Sequence, residues 1–225
     1  MEFVNTLIKN LPTFGDALLM TLELAAVAIV LALVLGIIFG LFTVSGFKTL
    51  EFLSAIYIDI IRGTPLLVQT FIIYYGLAQS LKPLGFSWSN IGGPFTAGVV
   101  ALSLNAGAYM AEIIRGGIQS VDKGQMEAAK SLGLSNKNAM RYVILPQAVK
   151  NILPALGNEF VVMVKETSLA SVFFVGELMT SYKTVQSTTF LAIPSLTIVG
   201  IIYFILNFIL TKILKVVERR LQASD

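Results

Sequence analysis

Five stretches of this 225-residue chain are long enough to cross a bilayer and carry few charges, and the first is free of Asp, Glu, Lys and Arg from Leu24 to Phe47. A helix needs about 20 mostly apolar residues to cross the hydrocarbon core, and no soluble globule can bury so many segments of that kind. The spans are expected at about 17–44, 52–81, 95–115, 152–176 and 191–214. None shows the strict alternation of a transmembrane strand, so the fold class is an all-α membrane protein with five transmembrane helices. Composition agrees, with 13% of residues charged against roughly 25% in a soluble domain.

The chain contains neither histidine nor cysteine. This excludes imidazole bases, Ser-His-Asp and Cys-His nucleophiles, thiolate or imidazole zinc sites, and disulfides. What remains is one hydrophobic domain with few tools for catalysis at neutral pH. The run after Asp16 is too long for a signal-peptide core, and Glu2 and Asp16 flank it where basic residues belong. Residues 1–16 are instead expected to form a short, partly amphipathic segment on the membrane surface, broken at Pro12.

Five spans put the termini on opposite sides, and Lys and Arg decide which is which. One set of loops holds Lys48, Lys123, Lys130, Lys137, Arg141, Lys150, Lys212, Lys215, Arg219 and Arg220; the other holds only Lys9, Lys82 and Lys183. The N-terminus is therefore expected outside and the C-terminus in the cytoplasm. The net charge of +3 is then topological bias next to anionic lipid, and nucleic acid need not be invoked.

The cytoplasmic loop 116–150 carries helical signals of its own. Asp122 can cap a helix with Gln125 three residues on, and Gly133 is placed to end it, which predicts a helix over about 123–133. A second short helix is expected from Ser135 or Asn136, stopping near Pro146. Composition alone divides evenly between a solvated connector and a docking element. For docking, Ala128 and Ala129 offer a flat face, and Met126, Leu132 and Leu134 are apolar residues that a connector does not need.

The string GQMEAAKSLGLS at 124–135, followed by VILPQA at 143–148, resembles the EAA loop of bacterial ATP-binding cassette importer permeases, with Glu127, Ala128, Ala129, Gly133, Ile144, Leu145 and Pro146 at the pattern positions. RGTPLLVQ at 62–69, AYMAEIIRGGIQSV at 108–121 and KETSLAS at 165–171 are similar to the histidine/glutamine-type branch that imports polar amino acids. The resemblance implies a type I importer permease that dimerises, as homodimer or heterodimer, in the bacterial cytoplasmic membrane. It implies a coupling helix, with Gly124, Glu127, Ala128, Ala129 and Gly133, seated on a cytoplasmic ATPase dimer, and an extracellular solute-binding protein that delivers the amino acid. ATP and Mg would be bound by the ATPase, because this chain has no G-x-x-x-x-G-K-[ST] phosphate loop and needs no cofactor of its own.

Polar residues inside spans are costly and usually functional. Glu159, Met163 and Glu166 recur at i, i+4 and i+7, and Asn105, Tyr109 and Glu112 share that spacing, which predicts two polar stripes. Glu112 and Arg115, three apart, are expected to form a structural clasp. The run Arg62-Gly63-Thr64-Pro65 predicts a helix broken at membrane depth. There Arg62 either pairs with Asp59 or contacts solute, and Thr64 lines the path. Lys165 is expected to pair with an acidic residue across the bundle. Lys165 and Ser168 also have the spacing of a base and a nucleophile, but the family string accounts for both without catalysis. The chain is thus read as a transport subunit and not an enzyme, with Ser168 grouped among the solute-contacting residues.

Glu159 and Glu166 offer two carboxylates, one more than an ordinary amino acid's ammonium needs, which favours a basic solute, arginine first, then lysine or histidine. Glutamine is the main alternative. An ion-coupled secondary transporter is the alternative from another class, since Asp59, Glu112, Glu159 or Glu166 could carry a proton.

Overall fold

The computed structural model describes residues 2–222, and its elements are all helical. Helix α1, Glu2–Phe42, runs without interruption through Pro12, so the break expected there is absent. Pro12 costs the bond to the Ile8 carbonyl. Ile8 is 67% exposed, so the loss falls where water or headgroups can replace it.

Helix α5, Gly93–Gln119, is the mate of α1. Down one side of α1 run Ala25, Ala28 and Ala32, all fully buried, followed by Gly36 and Gly40. A Cβ built on Gly36 would stand 2.5 Å from the Cβ of Met110, and one on Gly40 3.0 Å from the Ala111 carbonyl. With no hydrophobic drive between helices in lipid, such small-residue stripes let backbones meet and gain dispersion contacts. Leu24, Leu102, Met163, Val164, Ala170 and Phe173 complete the main core beside this seam.

Between α1 and α5 lie α2, Lys48–Arg62, and α3, Leu66–Phe71, which continues through a π turn, Ile72–Gly76, into α4, Leu77–Leu81. The segments Lys48–Arg62 and Leu66–Leu84 meet at 102°, so the helix break expected at Gly63-Thr64-Pro65 is present. The Trp88 indole donates to the Tyr74 carbonyl at 2.9 Å and pins the connection to α5.

After α5 come α6, Lys123–Ser131, and α7, Asn136–Ala139, and then a π turn, Met140–Ile144, leads into α8, Leu145–Glu166. The helix expected to stop near Pro146 instead passes through it, and the fourth long helix begins at Leu145 rather than Ile152. Pro146 sits in the first turn of α8, directly after the wide π turn, where a missing backbone donor is tolerated.

A 3-10 turn, Thr167–Phe173, joins α8 to α9, Leu178–Thr189, and α10 is Ala192–Gln222. Glu177, 0% exposed, caps α9 by accepting from the Met179 and Thr180 amides at 2.6 and 2.8 Å. It also accepts from the Tyr203 hydroxyl at 3.2 Å, which ties α9 to α10.

Among the described residues, three helices are apolar and long enough to cross a membrane alone: Ile8–Phe42, Gly93–Gln119 and Ala192–Arg219; the bent pair makes a fourth. Lys150, Asn151, Asn158, Glu159, Lys165 and Glu166 make α8 less apolar than these.

Candidate functional site

A broken helix frees backbone groups that must find partners. At the end of α2 the Gly63 amide donates to the Asp59 carbonyl at 2.8 Å, and the Thr64 hydroxyl donates to the Ile60 carbonyl at 2.8 Å. Gln69, 6% exposed, turns its Nε2 back to the Ile61 carbonyl at 2.7 Å, the Thr64 carbonyl at 3.0 Å and Thr64 Oγ1 at 2.8 Å. Its Oε1 accepts from Asn105 Nδ2 on α5 at 2.9 Å. Thr64 is exposed, but its hydroxyl is committed to holding the break. Asn105, 3% exposed, supports that network from behind. Gln69 does not stand out in the sequence. Its signal there is a lone amide in an apolar run four residues after the proline.

Arg62 does not pair with Asp59. The bend brings α2 against α5, and Arg62 reaches across to Glu112, Nη1 to Oε2 at 3.0 Å. The clasp expected between Glu112 and Arg115 is present and bidentate: Nε donates to Oε1 at 2.8 Å and Nη2 to Oε2 at 2.9 Å. The Arg62 guanidinium lies 5.4 Å from the centre of the Tyr109 ring, a cation–π stack. Tyr109 is 39% exposed and thus partly open to the surroundings of this cluster.

On α8 the stripe expected to carry solute contacts divides. Met163 is fully buried in the main core, so it is a packing residue, because the same stripe faces α5 at that level. Glu159 and Glu166 are half-buried, and among the described residues no Lys or Arg nitrogen lies within 4.0 Å of either carboxylate. Lys165 is exposed and, contrary to expectation, forms no ion pair there; six positions from Glu159 it points off the stripe. Ser168 is half-buried on the 3-10 turn. A Cβ on Gly117 would strike Ile152, and one on Gly98 would touch Ala170. That antiparallel register places Glu159 level with the turn of Tyr109.

The loop helix α6 forms as its local signals predict. Asp122 Oδ1 accepts from the Gly124 amide at 2.7 Å, and Gly133 ends the turn at φ +85°, where a side chain would be strained. Ala128 and Ala129 do not share a face: Ala129 is 4% exposed and turned inward, and Met126 packs near Ile118 and Met140. The outward face carries Gly124, Glu127, Ala128, Ser131 and Leu132, the last 85% exposed. Beneath α6 lies a cavity of about 520 Å³ lined by Val44, Ile118, Val121, Met126, Met140 and Ile144.

The family described as "binding-protein-dependent transport system inner membrane component" matches residues 6–223. The arginine transport system permease protein ArtQ of Bacillus subtilis is 40% identical over 97% of this chain and 96% of its own length. The glutamine transport system permease protein GlnP of Escherichia coli is 37% identical over 94% of each. A crystal structure of an amino acid ABC transporter with histidines superposes with a TM-score of 0.90 and 44% identity, covering 98% of this chain and 99% of that one. With a match spanning nearly its whole length, this chain belongs to the family of binding-protein-dependent transport system inner membrane components, in its amino-acid ABC permease group.

Proposed function

We propose that the chain is the permease of an ATP-driven importer for basic amino acids, arginine ahead of lysine and histidine. The carrying observation is the pair Glu159 and Glu166, two half-buried carboxylates on one stripe of α8 with no fixed cation within 4.0 Å among the described residues. A carboxylate at membrane depth is neutralised by a proton, a fixed cation or a cation that comes and goes, and a guanidinium fits it bidentately.

In this reading α8 is the fourth of five spans, its polar residues lining the path, with the N-terminus outside and the C-terminus in the cytoplasm of a bacterial cell. Residues 2–16, the start of α1, lie against the outer surface. The outward face of α6 seats on a cytoplasmic ATPase dimer that binds ATP and Mg. A second permease subunit, identical or related, completes the assembly, and an extracellular solute-binding protein loads it. ATP hydrolysis belongs to the partner chain.

Glutamine is the second reading, supported by the likeness to a glutamine permease. The test is the ATPase rate of the reconstituted complex with its binding protein, measured with each amino acid. Stimulation by arginine and lysine supports the basic reading; stimulation by glutamine alone replaces it. Uptake into vesicles holding ATP but no ion gradient separates either from ion-coupled transport.

A further inference from the structure

Arg62 brings more positive charge to its surroundings than they use. Glu112 is already matched by Arg115 through two parallel contacts at 2.8 and 2.9 Å. Arg62 adds one contact at 3.0 Å, so the three side chains carry a net charge of +1. A guanidinium has five N–H donors. Here one nitrogen meets Glu112, one face of the group rests over the Tyr109 ring at 5.4 Å, and the side chain remains 40% exposed. The guanidinium plane is therefore fixed while part of its donor edge stays open. A partly buried guanidinium with an unmatched charge calls for an anion.

We infer that Arg62 is the subsite for the α-carboxylate of the transported amino acid, and that Glu112 occupies this guanidinium as a stand-in carboxylate until solute arrives. The inference rests on the reading of the chain as an amino-acid permease but not on the choice of amino acid, because every candidate brings that carboxylate. The exchange is favourable in charge: the solute carboxylate takes the Arg62 fork, Glu112 keeps Arg115, and the cluster passes from +1 to neutral. The remaining cation of the solute is left to the α8 stripe, where Glu159 stands level with the turn of Tyr109 under Arg62. The helix break makes the site possible. Arg62 is the last residue of α2, and the Gln69 amide, bonded to both Ile61 and Thr64, fixes where the chain turns away and leaves the guanidinium facing α5.

The test uses the assembled permease–ATPase complex in detergent without its binding protein, so that recognition by that protein does not enter. Labelled arginine and labelled glutamine are the probes, each compared with its α-carboxamide. Arg62→Gln is expected to weaken binding of the free acid by on the order of tenfold or more, the scale of a lost charge-assisted contact, and to leave the amide unchanged. Arg62→Lys, which keeps the charge but not the fork, should fall between. Glu112→Gln removes the competitor and is expected to tighten the free acid several-fold without changing the amide. Equal losses for acid and amide in Arg62→Gln, or undiminished acid binding, overturn the subsite. So does a Glu112→Gln complex that binds the acid no more tightly than the parent, and this variant decides by its sign even if Arg62→Gln fails to assemble. A parental complex that binds neither amino acid overturns the permease reading and the subsite with it, whereas parental binding with no acid-selective change overturns the subsite alone.

Discussion

Asn105 donates its side-chain amide to Gln69 Oε1 at 2.9 Å, joining the middle of α5 to the residue that holds the broken helix together. Two buried amides thereby fix the relation between the long helix at the centre of the bundle and the bend beside it. The backbone carbonyls of Ile61 and Thr64 take their donors from the same Gln69 side chain.

Gln69→Leu removes donors from two carbonyls and the acceptor from Asn105. The expected cost is about 1–2 kcal/mol, because buried hydrogen bonds in membrane bundles are individually modest. Asn105→Leu breaks one bond and should cost less. Thermal midpoints of the purified assembly for both single variants and the double variant check this: a double variant no worse than Gln69→Leu supports one shared network, and strict additivity refutes it.

Gly36→Ala places a methyl 2.5 Å from Met110 Cβ, with backbone close behind, and must push α1 off α5. A loss of about 1–3 kcal/mol is expected, as for other overpacked cores. Gly15→Ala, where nothing lies within 4 Å, adds helix propensity without a clash and should leave stability unchanged or raised by up to about 1 kcal/mol. Denaturation of both variants in the same detergent settles the contrast, and equal effects would contradict the close seam.

Glu127→Lys changes only the exposed face of α6. The subunit should insert normally and keep its stability within about 0.5 kcal/mol, while co-purification with the ATPase, or coupling of hydrolysis to uptake, is lost. Gly133→Val forces a branched side chain into φ +85° at the end of that helix, at a cost of about 1–2 kcal/mol, and should disturb the same readouts. Normal uptake in both variants would remove α6 from the coupling path.

Glu159→Gln keeps size and hydrogen-bonding capacity and removes the charge. Arginine and lysine uptake should fall by tenfold or more, on the order of one lost charge-assisted contact, with glutamine uptake and assembly little changed. Transport assays on the one variant with all three amino acids check it. Parental arginine uptake would make Glu159 a structural carboxylate.

Local physics was legible in the chain. The charge-free run through α1, the proline-marked break at Gly63-Thr64-Pro65 and the α6 helix between the Asp122 cap and Gly133 each depend on residues within a turn or two of one another. The Glu112–Arg115 clasp is of the same kind, three residues apart on one helix. Arg62 shows where that legibility ends. Asp59 stands three positions before it and is the obvious partner by spacing, but a 102° bend carries Arg62 to Glu112, fifty residues away. Only the packing of α2 on α5 makes that pairing. Met163 shares its period with Glu159 and Glu166 yet is fully buried, because period says which residues share a face but not what the face meets. Pro146 and Pro12 read as helix ends from ring geometry alone; a wide π turn just before the proline in one case, and an exposed turn in the other, allow the helices to continue. Gln69 looked like one polar residue in an apolar run, and it became the brace of the break only when the folded chain set the Ile61 and Thr64 carbonyls and the Asn105 amide around it. Sequence thus determined the segments that must be helical, where one must break and which loop helix stands outside the bundle. Tertiary structure decided which charges meet and which stay unmatched, because partners across a helix interface are set by bend and register, and neither quantity is carried by the residues within one helix.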